Sequence, residues 1–268
     1  MGVAILSGGR SHRFGRDKLR HSWKGRTLLD RVVSAGYGVA DRVWLLARDP
    51  TQGAELKEGL TEPVDLLLDG DATGAGPGPA IFRAVMDLPV QRLLVLPGDL
   101  AFLTPEGLRR WVESSRHGHA WLTSLWDPGT GQVECACQFY PSPLFRERLR
   151  SWRAEASWME RASSLLRLCP RGELLDRASL SSDPREFLSI DREVQLETPP
   201  PPPLCSPPRA PKGLDGKASE LYREALRARG LGQLSRARHL FLEEAEVHQK
   251  DGIATLALHA RSDARRTR

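Results

Sequence analysis

The sequence predicts an α/β protein: a Rossmann-like three-layer domain around a mostly parallel, mixed sheet, with a small helical appendage at its C-terminal end. Three observations predict it. Short runs rich in Val, Ile and Leu recur through residues 1–197 with helical stretches between them, the pattern of strands joined by crossover helices. A proline-rich stretch over residues 198–213 then interrupts the composition, and from 214 to 268 apolar residues return only at helical spacing.

Each element has a local reason. Val3 to Leu6, Arg42 to Ala47, Val64 to Leu68 and Arg92 to Leu96 are nearly continuous in apolar residues, as strands buried on both faces must be. Thr27 to Tyr37, Ala80 to Leu88 and Pro105 to Arg116 have helical length and period. Thr104-Pro105-Glu106 supplies an N-cap followed by proline in the first turn. Ala120 to Trp126 and Val133 to Tyr140 read as two more strands, joined through the turn formers Asp127-Pro128-Gly129-Thr130-Gly131, so the sheet becomes mixed toward its edge. Pro199 to Pro203, Pro207, Pro208 and Pro211 make a stiff extended spacer that cannot join a core. After it, Ser219 to Arg229, Leu234 to Gln249 and Ile253 to Arg261 read as helices, broken at Gly230-Leu231-Gly232 and Asp251-Gly252.

Composition narrows the function. The 268 residues exceed one average domain. No apolar run reaches the roughly 20 residues of a membrane span, and the chain opens on a strand with no signal peptide before it, so a cytoplasmic, non-membrane protein is expected. Cys135, Cys137, Cys169 and Cys205 lack the paired spacing of zinc sites and read as reduced thiols. The net charge of +5 is diluted by interspersed acids and has no aromatic-basic platform, so it points to a phosphate-rich small substrate and not to nucleic acid.

Chemistry concentrates just after the first strand, in Leu6-Ser7-Gly8-Gly9-Arg10-Ser11-His12-Arg13-Phe14-Gly15-Arg16-Asp17-Lys18. Adjacent glycines let main chain approach a polyanion closely, while Arg13 and Lys18 bring fixed positive charge to phosphate oxygens. The loop therefore reads as a triphosphate cradle. It is neither the Walker loop nor the dinucleotide fingerprint, since both lack a match here. Asp99, in Leu96-Pro97-Gly98-Asp99-Leu100-Ala101-Phe102-Leu103, follows a central strand at the end where open parallel sheets bind ligands, and is the metal-ligand candidate. Magnesium takes hard oxygen donors and needs only one or two protein carboxylates, so Mg2+ is the expected cofactor.

The first loop resembles the signature of the molybdenum cofactor guanylyltransferases (MobA type), Leu-x-Gly-Gly-x-Ser-x-Arg-Met/Phe-Gly-x-Asp-Lys, and matches every fixed position. The resemblance covers roughly residues 1 to 195. It implies a nucleotidyltransferase that joins GMP from GTP to the terminal phosphate of molybdopterin and releases pyrophosphate. It assigns Lys18, Arg13 and Asp99 to catalysis, and Leu6, Ser7, Gly8, Gly9, Lys18, Arg48, Asp69 and Asp99 to the nucleotide. Asp69, in the loop Asp69-Gly70-Asp71 through Ile81, is the guanine-side carboxylate by this resemblance, with Asp71 the competing candidate. A carboxylate can accept from both the ring N–H and the amino group of guanine. Arg48 stands where the family has asparagine, Gly98 where it has cysteine, and Leu100-Ala101 where it has Met-Pro. Ser189 and Asp191 replace the asparagines of a late Asn-Ile-Asn segment, and Asp191 offers a second oxygen near the metal. Arg16, Arg20 and His21 are available to an anionic acceptor, whereas His12, His117 and His119 lack partners that would mark them as catalytic.

Two rival readings accompany this one. The first is a cytidylyl- or sugar-phosphate nucleotidyltransferase of the same fold, although those tend to show Ala-Gly and Pro-Lys where this chain has Gly8-Gly9 and Asp17-Lys18. The second is a non-catalytic nucleotide- or cofactor-binding adaptor that uses the helical tail. Leu221, Ala225, Ala237, Phe241 and Ala245 fall near the apolar positions of a tetratricopeptide helix pair, so the tail loosely resembles one such repeat. One hairpin of this kind buries too little alone, so it must dock on its own catalytic domain, self-associate or engage a protein partner.

Overall fold

Strand β1 (Gly2–Leu6) sends Val3 and Ile5 into one core and Ala4 into another, which is why its sequence is apolar throughout. A computed structural model describes residues 1–8, 17–68, 76–115, 119–152, 159–181, 183, 185–197 and 209–267. After β1 come the short hairpin β2 (Ser22–Trp23) and β3 (Arg26–Thr27), helix α1 (Leu28–Tyr37), β4 (Arg42–Ala47), α2 (Pro50–Lys57) and β5 (Asp65–Leu68). Helix α3 (Pro77–Asp87), β6 (Leu93–Pro97), α4 (Pro105–Ser114), β7 (Leu122–Asp127) and β8 (Gln132–Tyr140) follow. The region closes with α5 (Leu144–Arg150), α6 (Ser164–Leu168), β9 (Gly172–Asp176) and α7 (Val194–Glu197).

The main sheet has eight strands in the order β10-β9-β7-β8-β6-β1-β4-β5, where β10 is Lys212–Gly213. Strands β6, β1, β4 and β5 are mutually parallel, β8 runs antiparallel to both β6 and β7, and β9 is again parallel to β7. The mixed, mostly parallel sheet expected from the sequence is therefore present. Helices α1, α2 and α4 cover one face, through residues such as Val32, Leu56 and Trp111. Helix α3 covers the other, through Ile81 and Ala84.

The three helices read from the tail's sequence are present: α8 (Gly216–Gly230), α9 (Leu234–Lys250) and α10 (Ala254–Arg266), one more than a single helix pair. The tail docks on its own chain. Tyr222, Phe241 and Leu256 share a continuous core with Ile81, Phe145 and Leu166, on the same sheet face as α3. Main chain also joins the two parts. β10 pairs antiparallel with β9, and the Val133 amide of β8 donates to Thr255 Oγ1 at 3.0 Å. Residues 198–208 of the proline-rich stretch lie outside the described residues.

An ionic cluster crosses the same contact. Arg167, fully buried on α6, donates from Nε and Nη2 to the two carboxylate oxygens of Glu244 at 2.7 and 2.8 Å, and from Nη1 to Asp263 at 2.6 Å. Its guanidinium lies 4.0 Å from the Tyr222 ring centroid. Burial opposes the charge on Arg167, but the Glu244 carboxylate and its hydrogen bonds more than offset this and raise the pKa. Among the described cysteines, Cys135, Cys137 and Cys169 are buried and unpaired, and burial pushes the Cys135 and Cys169 thiols up to about 12. Cys205 lies outside the described residues.

Candidate active site

The parallel strands β1, β4, β5 and β6 end on one rim of the sheet. The chain leaves β1 toward β4 and β5, then returns on the other side of β1 as β6, which makes the β1/β6 gap a switch point where such sheets bind ligands. Leu6-Ser7-Gly8 and Gly98-Asp99 border that gap, tied together by a Gly98 N–H to Leu6 O bond of 3.1 Å.

Lys18 opens a 3₁₀ turn, Lys18–Arg20, capped by Asp17, whose Oδ1 accepts from the Leu19 amide at 3.1 Å. The turn buries Leu19 against Gly98, where an added Cβ would sit 3.1 Å from Leu19 Cδ2 and from Leu6 O. Gly98 thus lets the turn approach the strand end closely. As a result the Lys18 ammonium forms an ion pair with Asp99 Oδ2, donates to Ile190 O at 3.3 Å and lies 3.7 Å from Asp191 Oδ1. The Ile190 amide donates to Asp99 O at 3.2 Å, fastening the late segment to the same loop. Asp99 is 6% exposed, and its Oδ1 is buried without a hydrogen-bond partner among the described residues. A carboxylate oxygen in that condition costs free energy until a donor or cation reaches it.

Ser7 faces away from the gap: its amide and Oγ both donate to Leu46 O, at 3.1 and 2.9 Å. Leu6 is half-buried against the core, and Gly8 is half-buried at the rim. The Arg48 guanidinium pairs with Asp49 at 2.9 Å, which draws it along α2. Arg20 lies 3.9 Å from Glu58, and His21 lies 3.5 Å from Glu193. His119 is exposed. Gly9, Arg13, Asp69, Asp71, His12, Arg16 and His117 lie outside the described residues.

Two residues of this rim were missed by sequence reasoning. Gln52 donates from Nε2 to Ser7 O at 3.1 Å and accepts from the Arg48 amide at 2.9 Å, joining the ends of β1 and β4. The only sequence signal was Asp49-Pro50, an N-cap and first-turn proline that start α2 and so aim Gln52 inward. Glu134, at the rim end of β8, is mostly buried, and burial pushes its carboxyl above the ordinary value. The charge of Arg177, 3.5 Å away, opposes this, and those of Asp99 and Asp127 add to it. Nothing in the alternating pattern of β8 distinguishes it.

A mostly parallel sheet whose switch point gathers a lysine and a buried aspartate has the α/β nucleotidyltransferase fold. The chain belongs to the MobA-like NTP transferase domain family, whose model matches residues 3–174. It is 31% identical over 114 residues to a protein of Methanothermobacter thermautotrophicus named "Probable molybdenum cofactor guanylyltransferase", covering 42% of this chain and 57% of that one. It is also 31% identical over 103 residues to a protein of the same name from Aquifex aeolicus, covering 38% and 47%. The chain spans about half the length of these curated relatives. Its fold is similar to that of molybdopterin-guanine dinucleotide biosynthesis protein A from Archaeoglobus fulgidus, with TM-score 0.59 and 18% identity over 74% of this chain and 95% of that one. The fold is shared with 4-diphosphocytidyl-2C-methyl-D-erythritol synthase from Anaerococcus prevotii, with TM-score 0.52 and 13% identity over 73% and 94%.

Proposed function

We propose that the protein transfers GMP from GTP to the terminal phosphate of molybdopterin. An acceptor phosphate oxygen attacks the α-phosphorus, a new P–O–P bond forms, and the bond to the β-phosphate breaks as pyrophosphate leaves with its electron pair. The observation that carries the reading is the meeting of Lys18 with Asp99 at the switch point, with one Asp99 oxygen left without a partner among the described residues. Support for the guanine and molybdopterin assignments comes from the first-loop signature and from the names of the relatives.

A phosphate attacks readily at neutral pH, so no strong base is required, and the residues act by holding charge. Lys18, and Arg13 by resemblance, would grip the triphosphate. Gly8 and Gly9 would let main chain approach it, and Asp69 would accept from the guanine edge. Gln52 keeps the ends of β1 and β4 in register beside the base. The buried, unpartnered oxygen of Asp99 and the nearby Asp191 carboxylate form a hard-oxygen donor set suited to Mg2+. A bound Mg2+ would neutralise charge developing on the phosphates. Lys18 would then exchange its carboxylate contacts for phosphate oxygens.

The test is pyrophosphate release with molybdopterin, measured for GTP, CTP, ATP and UTP with and without Mg2+. GTP-selective, Mg2+-dependent release is expected. Selectivity for CTP would turn the reading toward a cytidylyltransferase, and tight GTP binding without release would turn it toward a binding adaptor.

A further inference from the structure

Helix α3 begins without a side-chain cap, yet its first turn is not open. The Gly78 amide, one of the orphan donors of a helix start, donates to Glu160 O at 3.1 Å, so a carbonyl far along the chain does the capping. The approach is close along its whole length. Gly76 has φ 87°, and a Cβ there would collide with Glu160 O. One on Gly78 would lie 2.5 Å from Met159 O and 2.8 Å from Arg161 O. Three consecutive carbonyls, those of residues 159–161, thus form the seat of α3.

The side chains of that seat are held from the other direction by the tail. Glu160 accepts from Arg266 of α10 at 3.0 Å and from Arg229 of α8 at 3.5 Å. Arg161 donates to Ser262 at 2.7 Å and to Asp263 at 3.0 Å. Helix α3 follows the loop that leaves β5 at the ligand-bearing rim, so whatever fixes its first turn also fixes where that loop ends.

We infer that the C-terminal helices position the first turn of α3: Arg229 and Arg266, through Glu160, hold the segment on which Gly76 and Gly78 rest. The consequence for nucleotide rests on the reading under Proposed function, whereas the mechanical link does not. Glu160, Arg229 and Arg266 are positioning residues that touch no substrate.

The experiment compares the full chain with Arg229→Ala/Arg266→Ala, and with Arg229→Lys/Arg266→Lys as the charge-conserving control. Hydrogen exchange is followed across residues 78–81, at the amides of Gly78, Ala80 and Ile81 since Pro79 has none, and, as internal reference, at 94–96 of β6. Exchange at 78–81 is expected to rise about three- to tenfold in the alanine pair, with 94–96 unchanged and protection restored in the lysine pair. KM for the triphosphate should rise by a similar factor, with kcat within about twofold. Unchanged exchange at 78–81, or equal loosening at 94–96, would overturn the inference. So would equal losses in kcat and kcat/KM at constant KM. A wild-type chain that binds no triphosphate would instead refute the proposed function, and the exchange data would still decide whether the tail seats α3.

Discussion

Asp99 and Lys18 form an ion pair, yet among the described residues only one Asp99 carboxylate oxygen has a partner. That asymmetry predicts the effect of Asp99→Asn, which keeps the shape of the side chain and removes its charge. The variant is expected to fold and to lose about 10²- to 10³-fold in kcat for pyrophosphate release, in the range of losing one preorganised electrostatic group. Its dependence on Mg2+ concentration should also shift upward; titrating initial rates against Mg2+ checks this, and an unchanged midpoint would remove Asp99 from the metal assignment. Much of this site was legible because Lys18 and Asp99 sit in local patterns, a glycine loop and a strand end, that can be read without knowing what they face. Gln52 and Glu134 escaped for the opposite reason. Their roles come from main-chain and charged groups brought near by the sheet, and neither stands in a distinctive local pattern.

Strands β1, β4 and β6 were legible as elements because burial on both faces leaves an unbroken apolar run. β9, with Glu173 inside Gly172-Glu-Leu-Leu-Asp176, and β10, with two residues, carry no such run. Helix α2 was missed because only Gly53 and Leu56 are buried, so it has almost no apolar face. The tail's grip on α6 was equally invisible, since Arg167 lies inside an apolar helix and its partners are distant in sequence. Breaking that grip by Glu244→Ala should cost about 3 to 5 kcal/mol in urea unfolding, because Arg167 remains buried with half its partners gone. Removing the exposed Arg236 opposite Glu224, 3.9 Å apart, should cost about 1 kcal/mol or less. Helix α10 also carries His259, whose pKa is lowered to about 4, chiefly by burial and further by Arg161 and Arg167. Its ordinary value is 6.5, so between these values the unfolded chain takes up a proton that the folded chain refuses. Stability should therefore fall as pH drops from about 6.5 to about 4. Thermal melts of His259→Gln across that window should show a flatter dependence; an unaltered slope would count against the assignment.

For the whole molecule, the boundary expected near residue 197 does not coincide with a break in the core, because Leu166 and Phe145 share one apolar cluster with Phe241 and Leu256. The composition change marks a connecting segment, and periodicity cannot tell a helix docked on its own sheet from one awaiting a partner. A chain cut after Glu197 is expected to bind the dye ANS strongly and to aggregate, since it would bare the apolar face that α8 to α10 cover and strip Arg167 of Glu244 and Asp263. A soluble, cooperatively melting fragment would contradict that. The order in which the chain is made adds a consequence. α10 emerges from the ribosome after every residue it covers, so the nascent sheet must wait, sticky on one side, until translation has delivered its lid of helices.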